Sequence, residues 1–333
     1  MKKIGKRTFR LENTVGVLGY AAVVGEKEKK GPLGHYFENF YYDEYCGQKT
    51  FEKAEAFMQK EAIQSVIEST KTSPKNVDFI YAGDLLNQCI GSNYGVGGFD
   101  ISYFGVYGAC STMAETLTLA AMSVDGGFAQ KALCVTSSHY CAAERQYRFP
   151  LEYGSQRAST AQWTVTGSGC VLIGNGEGSP RITEISPGVI CDKKIADINN
   201  MGTAMAPAAI QTLVTFFEDT STAPENYDLI LTGDLGHVGH AVVAEFLKRE
   251  NYDVQNRYQD CGMLIYDHTQ DAHAGGSGCG CSASVLCGFV LPEMRKQTYR
   301  NVLFVATGAL MSPTSILQGE NIPGIAHLVH FEV

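Results

Sequence analysis

Asp78-Phe-Ile-Tyr-Ala-Gly-Asp-Leu85 returns, 228 − 78 = 150 residues later, as Asp228-Leu-Ile-Leu-Thr-Gly-Asp-Leu235. Each copy is a short apolar run ending in Gly-Asp, the pattern of a buried strand that stops at a turn. A second pair follows in the same order, Ala132-Leu-Cys-Val-Thr-Ser137 and Val302-Leu-Phe-Val-Ala-Thr307. Two matches in order point to a duplicated α/β unit. Around them the chain alternates strands and helices. Phe51–Thr70 carries Ala54, Phe57, Met58, Ala62, Val66 and Ile67 on one helical stripe. Further helices are expected over Cys110–Met122, Ala204–Phe217, Gly239–Arg249 and Ser282–Leu291, with strands such as Thr14–Val24 between them. This alternation predicts largely parallel sheets covered by helices on both faces. The turn-rich Gly174-Asn-Gly-Glu-Gly-Ser-Pro180 divides the chain into halves 1–178 and 179–333.

Composition narrows the function. The 333 residues are 44% hydrophobic and 18% charged, too apolar for a disordered chain. Their net charge of −9 argues against a nucleic-acid partner, whose phosphates call for a basic surface. No stretch approaches the ~18 consecutive apolar residues of a transmembrane helix. The opening MKKIGKRTFR is basic without an apolar signal core behind it, and reads as a solvated tail or a membrane-surface contact. The 11 cysteines, scattered through apolar context, suit reduced buried thiols in a cytosolic protein. Tyr36–Tyr45 is an aromatic, acidic patch, read as a surface loop or a docking surface.

Chemistry concentrates at Gly108-Ala-Cys110-Ser-Thr-Met-Ala-Glu115. A cysteine between a glycine turn and a helix start sits at the positive end of the helix field, where a thiolate or a bound anion is favoured. A nucleophile also needs a base. His237 and His240 are the candidates, and with no third ligand at metal spacing they predict no metal site. Ala274–Ala283, Gly-dense with Ser277 and Cys279, is neither a P-loop nor a zinc motif. Asp84 and Asp234 end equivalent strands, either as turn residues or as walls of a cleft between the halves.

Gly-Ala-Cys-Ser at a buried helix start in a duplicated α/β unit resembles the thiolase and β-ketoacyl synthase superfamily. More narrowly, the chain is similar to a branch of it from endospore-forming bacteria. The matching stretches are Tyr81–Gln88, Gly105–Glu115, Phe149–Gly167, Ala274–Ala283, Arg300–Pro313 and Ile322–His327. The resemblance implies a thiolase-like α/β fold of five layers (α-β-α-β-α) with pseudo-twofold symmetry, and a homodimer. It implies non-catalytic binding of dipicolinic acid (pyridine-2,6-dicarboxylate), alone or as its calcium chelate, with no cofactor. That binding would serve uptake into the developing spore beside membrane-embedded partners, from the cytoplasmic face of the forespore membrane. The superfamily's enzymes pair the cysteine with His-His or His-Asn. Here Thr232-Gly-Asp-Leu and Gly278-Cys279 stand in those places, so Cys110 lacks a complete triad. By motif position, Met113, Met201 and Trp163 would wall the ligand and His237 or Ser277 would donate to it, with Asp84 and Cys279 alongside. The alternative is an active acyltransferase or thiolase using Cys110 and an acyl thioester.

Overall fold

A computed structural model describes residues 1–147, 157–176, 178–254 and 256–333. Residues 148–156, which include the first part of the Phe149–Gly167 stretch, and Glu177 of the inter-half turn lie outside the described residues. The main strands are β1 (Phe9–Gly25), β2 (Phe79–Gly83), β3 (Ser102–Gly105), β4 (Lys131–Ser138) and β5 (Gly167–Asn175), then β6 (Arg181–Ser186), β7 (Leu229–Thr232), β8 (Tyr258–Asp260), β9 (Asn301–Ala309) and β10 (Gly324–Glu332). They pair in the order β8-β7-β9-β10-β6-β1-β5-β4-β2-β3. Read outward from the β6–β1 junction, both directions give the first, fifth, fourth, second and third strand of a set. That palindrome is the pseudo-twofold.

The sheets are mixed, which corrects the expectation of largely parallel pairing. β2 runs parallel to β3 and β4, and β7 to β8 and β9. From β4 through β5, β1, β6 and β10 to β9 every pairing is antiparallel. Parallel neighbours need a crossover, usually a helix. Only the short Pro313–Leu317 helix stands between β9 and β10, so the chain returns antiparallel. β10 itself is buried along most of its length.

Helices complete the layers. α1 (Phe51–Thr70) packs on β1, β5 and β4, and α4 (Met201–Thr220) on β10 and β9 with α5 (Gly236–Arg249) against it. α2 (Thr112–Asp125) lies between, touching β4 and β2 on one side and β10 and β9 on the other. α3 (Tyr140–Tyr147) follows β4, and α6 (Cys279–Val285) packs beside α2 on β5 and β4 before continuing through a π-turn to Arg295. The result is the α-β-α-β-α stack.

The repeated octapeptide has a physical reason. Asp78 Oδ2 accepts from the N–H groups of Gln130 and Lys131 at 2.7 and 3.1 Å. Asp228 Oδ2 accepts from Arg300 and Asn301 at 2.7 and 3.0 Å. Each aspartate therefore pins the start of its strand to the next one. The same offset governs the outer helices, since 201 − 51 = 150. Both are capped by a side-chain oxygen, Thr50 or Asn200, and both end on a left-handed residue, Lys71 or Ser221. The basic opening is not a loose tail: the N–H groups of Lys6, Arg7 and Thr8 converge on the Asp219 carboxylate. All 11 cysteines are unpaired.

Candidate functional site

The centre of the molecule is built by the turn that enters α2. Val106 N–H bonds Ala82 O at the end of β2, and the chain then doubles back. Ala109 takes a left-handed φ of 51°, a conformation rare for a residue with a side chain and most common where structure serves a site. Ser111 Oγ and Thr112 Oγ1 donate to the carbonyls of Gly108 and Ala109, each at 2.6 Å, which locks the turn. Cys110 thus stands two residues ahead of the helix, rather than at its first residue as expected. β9 presses against this turn at Gly308, where a Cβ would lie 2.3 Å from Gly108 O.

Asp234 faces Cys110. It follows β7, and its buried carboxylate accepts from Gly278 N–H at 2.9 Å, Ser277 Oγ at 3.2 Å and Thr307 Oγ1 at 2.9 Å. The Asp234 carboxylate lies close enough to the Cys110 thiol to act on it electrostatically. Burial first, and then the Asp234 charge, push the Cys110 thiol well above the usual range. Burial pushes Asp234 up to about 6, against the pull of its hydrogen bonds. This is the reverse of nucleophile activation, in which a neighbouring cation or base lowers the thiol's pKa.

A half-open pocket with a cavity volume of ≈ 100 Å³ leads to Cys110. Ala143, Glu144 and Tyr147 of α3 form one wall, and Ile198, Asn199 and Met201 at the start of α4 another. Thr164 and Ser277 reach it from a two-residue parallel pairing, Trp163–Thr164 with Gly276–Ser277. Gln162 is fixed behind it by bonds to the carbonyls of Asp234 and Gly276 at 2.7 and 2.8 Å. The hydroxyls of Tyr107 and Tyr147 share a hydrogen bond at 3.0 Å at the rim. Among the described lining residues there is no histidine, lysine or arginine.

The structure brings Cys110, Met201 and Ser277 together on this pocket. Cys279 packs directly behind Cys110, fully buried, with its thiol on Ser137 O at 2.9 Å. Four expected residues are elsewhere. Asp84 is a turn residue, its carboxylate taken by the N–H groups of Leu86 and Ser92 and by Ser92 Oγ. Met113 points into the core, where helical periodicity on α2 places it. Trp163 stacks on Tyr140 with centroids 3.8 Å apart and lies under Lys27, while its neighbours Gln162 and Thr164 line the pocket. His237 is exposed on α5, one turn beyond Asp234, and its N–H bonds Ala274 O. Asp234 was legible from its kinship with Asp84, but the two diverge: one holds its own turn, the other reaches Cys110. Tyr107, Tyr147 and Asn199 carried no sequence signal.

A model of the family "Stage V sporulation protein AD" matches residues 5–332. The chain is 45% identical over 332 residues to stage V sporulation protein AD of Bacillus subtilis (strain 168), covering all of this chain and 98% of that one. Among solved structures, human mitochondrial 3-ketoacyl-CoA thiolase in complex with CoA superposes with a TM-score of 0.59 at 12% identity, over 98% of this chain and 100% of that one. 3-Oxoacyl-[acyl-carrier-protein] synthase III from Aquifex aeolicus VF5 gives 0.58 at 14%, over 95% and 99%. At such identities the likeness concerns the fold, which is thiolase-like.

Proposed function

The chain belongs to the stage V sporulation protein AD family, and from that premise we propose that its pocket binds dipicolinic acid without catalysing acyl transfer. The observation that carries the reading is Asp234. A condensing site needs an ionised cysteine and donors for a developing oxyanion. Here a buried carboxylate meets the thiol instead, and it absorbs the Ser277 and Gly278 donors. The walls remain suited to a flat ring, with Ala143, Ala309, Met201 and Met311 apolar and Asn199, Thr164 and Tyr107 polar at the edges.

Electrostatics favours one form of the ligand. The described lining holds no cationic side chain, while Glu144 and the neighbouring Asp234 are acidic. A free dicarboxylate would meet like charge in a partly desolvated space. The calcium chelate, neutral overall, does not. We therefore assign the chelate as the bound species, delivered in concert with membrane-embedded partners at the membrane surface. No helix among the described residues is long and apolar enough to cross a membrane. The homodimer would form through β3, one of the two edge strands, whose Phe104 is 49% exposed.

Calorimetric titration tests the reading. Dipicolinate with one equivalent of calcium should bind saturably, and dipicolinate alone more weakly. Asn199→Trp, an exposed position at the pocket mouth, should abolish the heat without disturbing the core. Absence of binding with calcium, or binding indifferent to Asn199→Trp, would overturn it.

A further inference from the structure

A second constellation lies where the aromatic, acidic patch meets the start of α3. One ligand atom from each of Glu44, His139 and Cys141 lies within 4.8 Å of the others. His139 is fully buried at the end of β4, and its ring stacks on Phe51. Its Nε2 is 2.8 Å from the backbone carbonyl of Glu44. A carbonyl only accepts, so Nε2 carries the proton and Nδ1 presents a lone pair. That Nδ1 is buried and has no hydrogen-bond partner. A buried imidazole nitrogen left unpartnered is rare, and a ring held through its other N–H by a backbone carbonyl is the arrangement that orients metal-ligating histidines.

We propose that Glu44, His139 and Cys141 form a binding site for a divalent ion of zinc's class. The donors are one nitrogen, one sulfur and one oxygen, a set that suits zinc or cobalt and not calcium, which takes oxygen ligands. Zinc–ligand distances of about 2.0–2.3 Å require the donors to draw inward. Exposed Glu44 and half-buried Cys141 are free to do so around the fixed ring. Three protein ligands leave a fourth position for water. Binding forms the metal–sulfur bond and releases the Cys141 thiol proton to solvent. The ion would staple the Tyr36–Tyr45 segment to the start of α3, the helix that supplies Ala143, Glu144 and Tyr147 to the pocket. The site thus bears on the pocket's wall and is independent of what the pocket holds.

Cobalt(II) titration of the chelator-stripped full chain tests this. A thiolate-to-cobalt charge-transfer band should saturate at one equivalent. Cys141→Ser should remove the band, and Glu44→Gln should weaken binding by roughly tenfold or more. Both positions are solvent-accessible, so both variants should keep the parent circular dichroism spectrum. No band at one equivalent, or a band that survives in Cys141→Ser, would overturn the proposal.

Discussion

Replacing Asp234 by asparagine should make the protein more stable at neutral pH. The carboxyl is buried and its pKa is pushed up from 3.8 to about 6. At ~1.4 kcal/mol per pKa unit, keeping it ionised in the folded state opposes folding by roughly 3 kcal/mol above pH 6. The sign follows from proton binding. Between about pH 4 and 6 the folded state holds the proton that the unfolded state has lost, so wild-type stability falls as pH rises through that window and is level above it. Asparagine is neutral throughout. Its carbonyl can accept from Gly278 and Ser277, while its amide faces Thr307 and forfeits about 1 kcal/mol of hydrogen bonding. The expected net gain is about 2 kcal/mol at pH 7.5, shrinking to nothing or slightly below by pH 4. Urea unfolding of both proteins across that range measures it. Glu28 and Glu115, both raised to about 7, titrate in the two proteins alike and cancel in the difference. A variant that is weaker at pH 7.5, or a gap that does not vary with pH, would refute the premise that Asp234 is held as a charge against burial.

Two further outcomes follow from the same geometry. In wild type Cys110 should resist iodoacetamide at pH 8 and form no acyl adduct with acyl-CoA, whereas Asp234→Asn should alkylate faster at Cys110; peptide mapping by mass spectrometry reads both, and a stable wild-type acyl adduct would restore the enzyme reading. Gly308→Ala would place a Cβ 2.3 Å from Gly108 O. Because backbone rather than a flexible side chain must yield there, it should lose about 2 kcal/mol in urea unfolding and loosen the Cys110 turn, visible as faster alkylation; unchanged stability would show that the β9 contact is slack.

The fold was legible because its signals are local and repeated. The octapeptide copies mark β2 and β7, and the 3.6-residue stripe gives α1 from Phe51 to Thr70 without error at either end. What the letters hid was direction. An apolar run reads the same whether its neighbour runs parallel or antiparallel, and β10 joins the sheet by a register that only the folded chain reveals. The site was half legible for a related reason. Cys110 and Ser277 stand in motifs with turn chemistry of their own, but the partner of the thiol comes from a strand end 124 residues away, since 234 − 110 = 124. His237 is of the residue type that activates cysteines. The helical turn after Asp234 carries it outward, and one step of backbone geometry decides between a base at the thiol and an acid there. That same step separates two chemistries. A histidine there would favour the ionised thiol, whereas burial and the Asp234 charge push the Cys110 thiol well above its usual range, which is the premise of the non-catalytic reading proposed above.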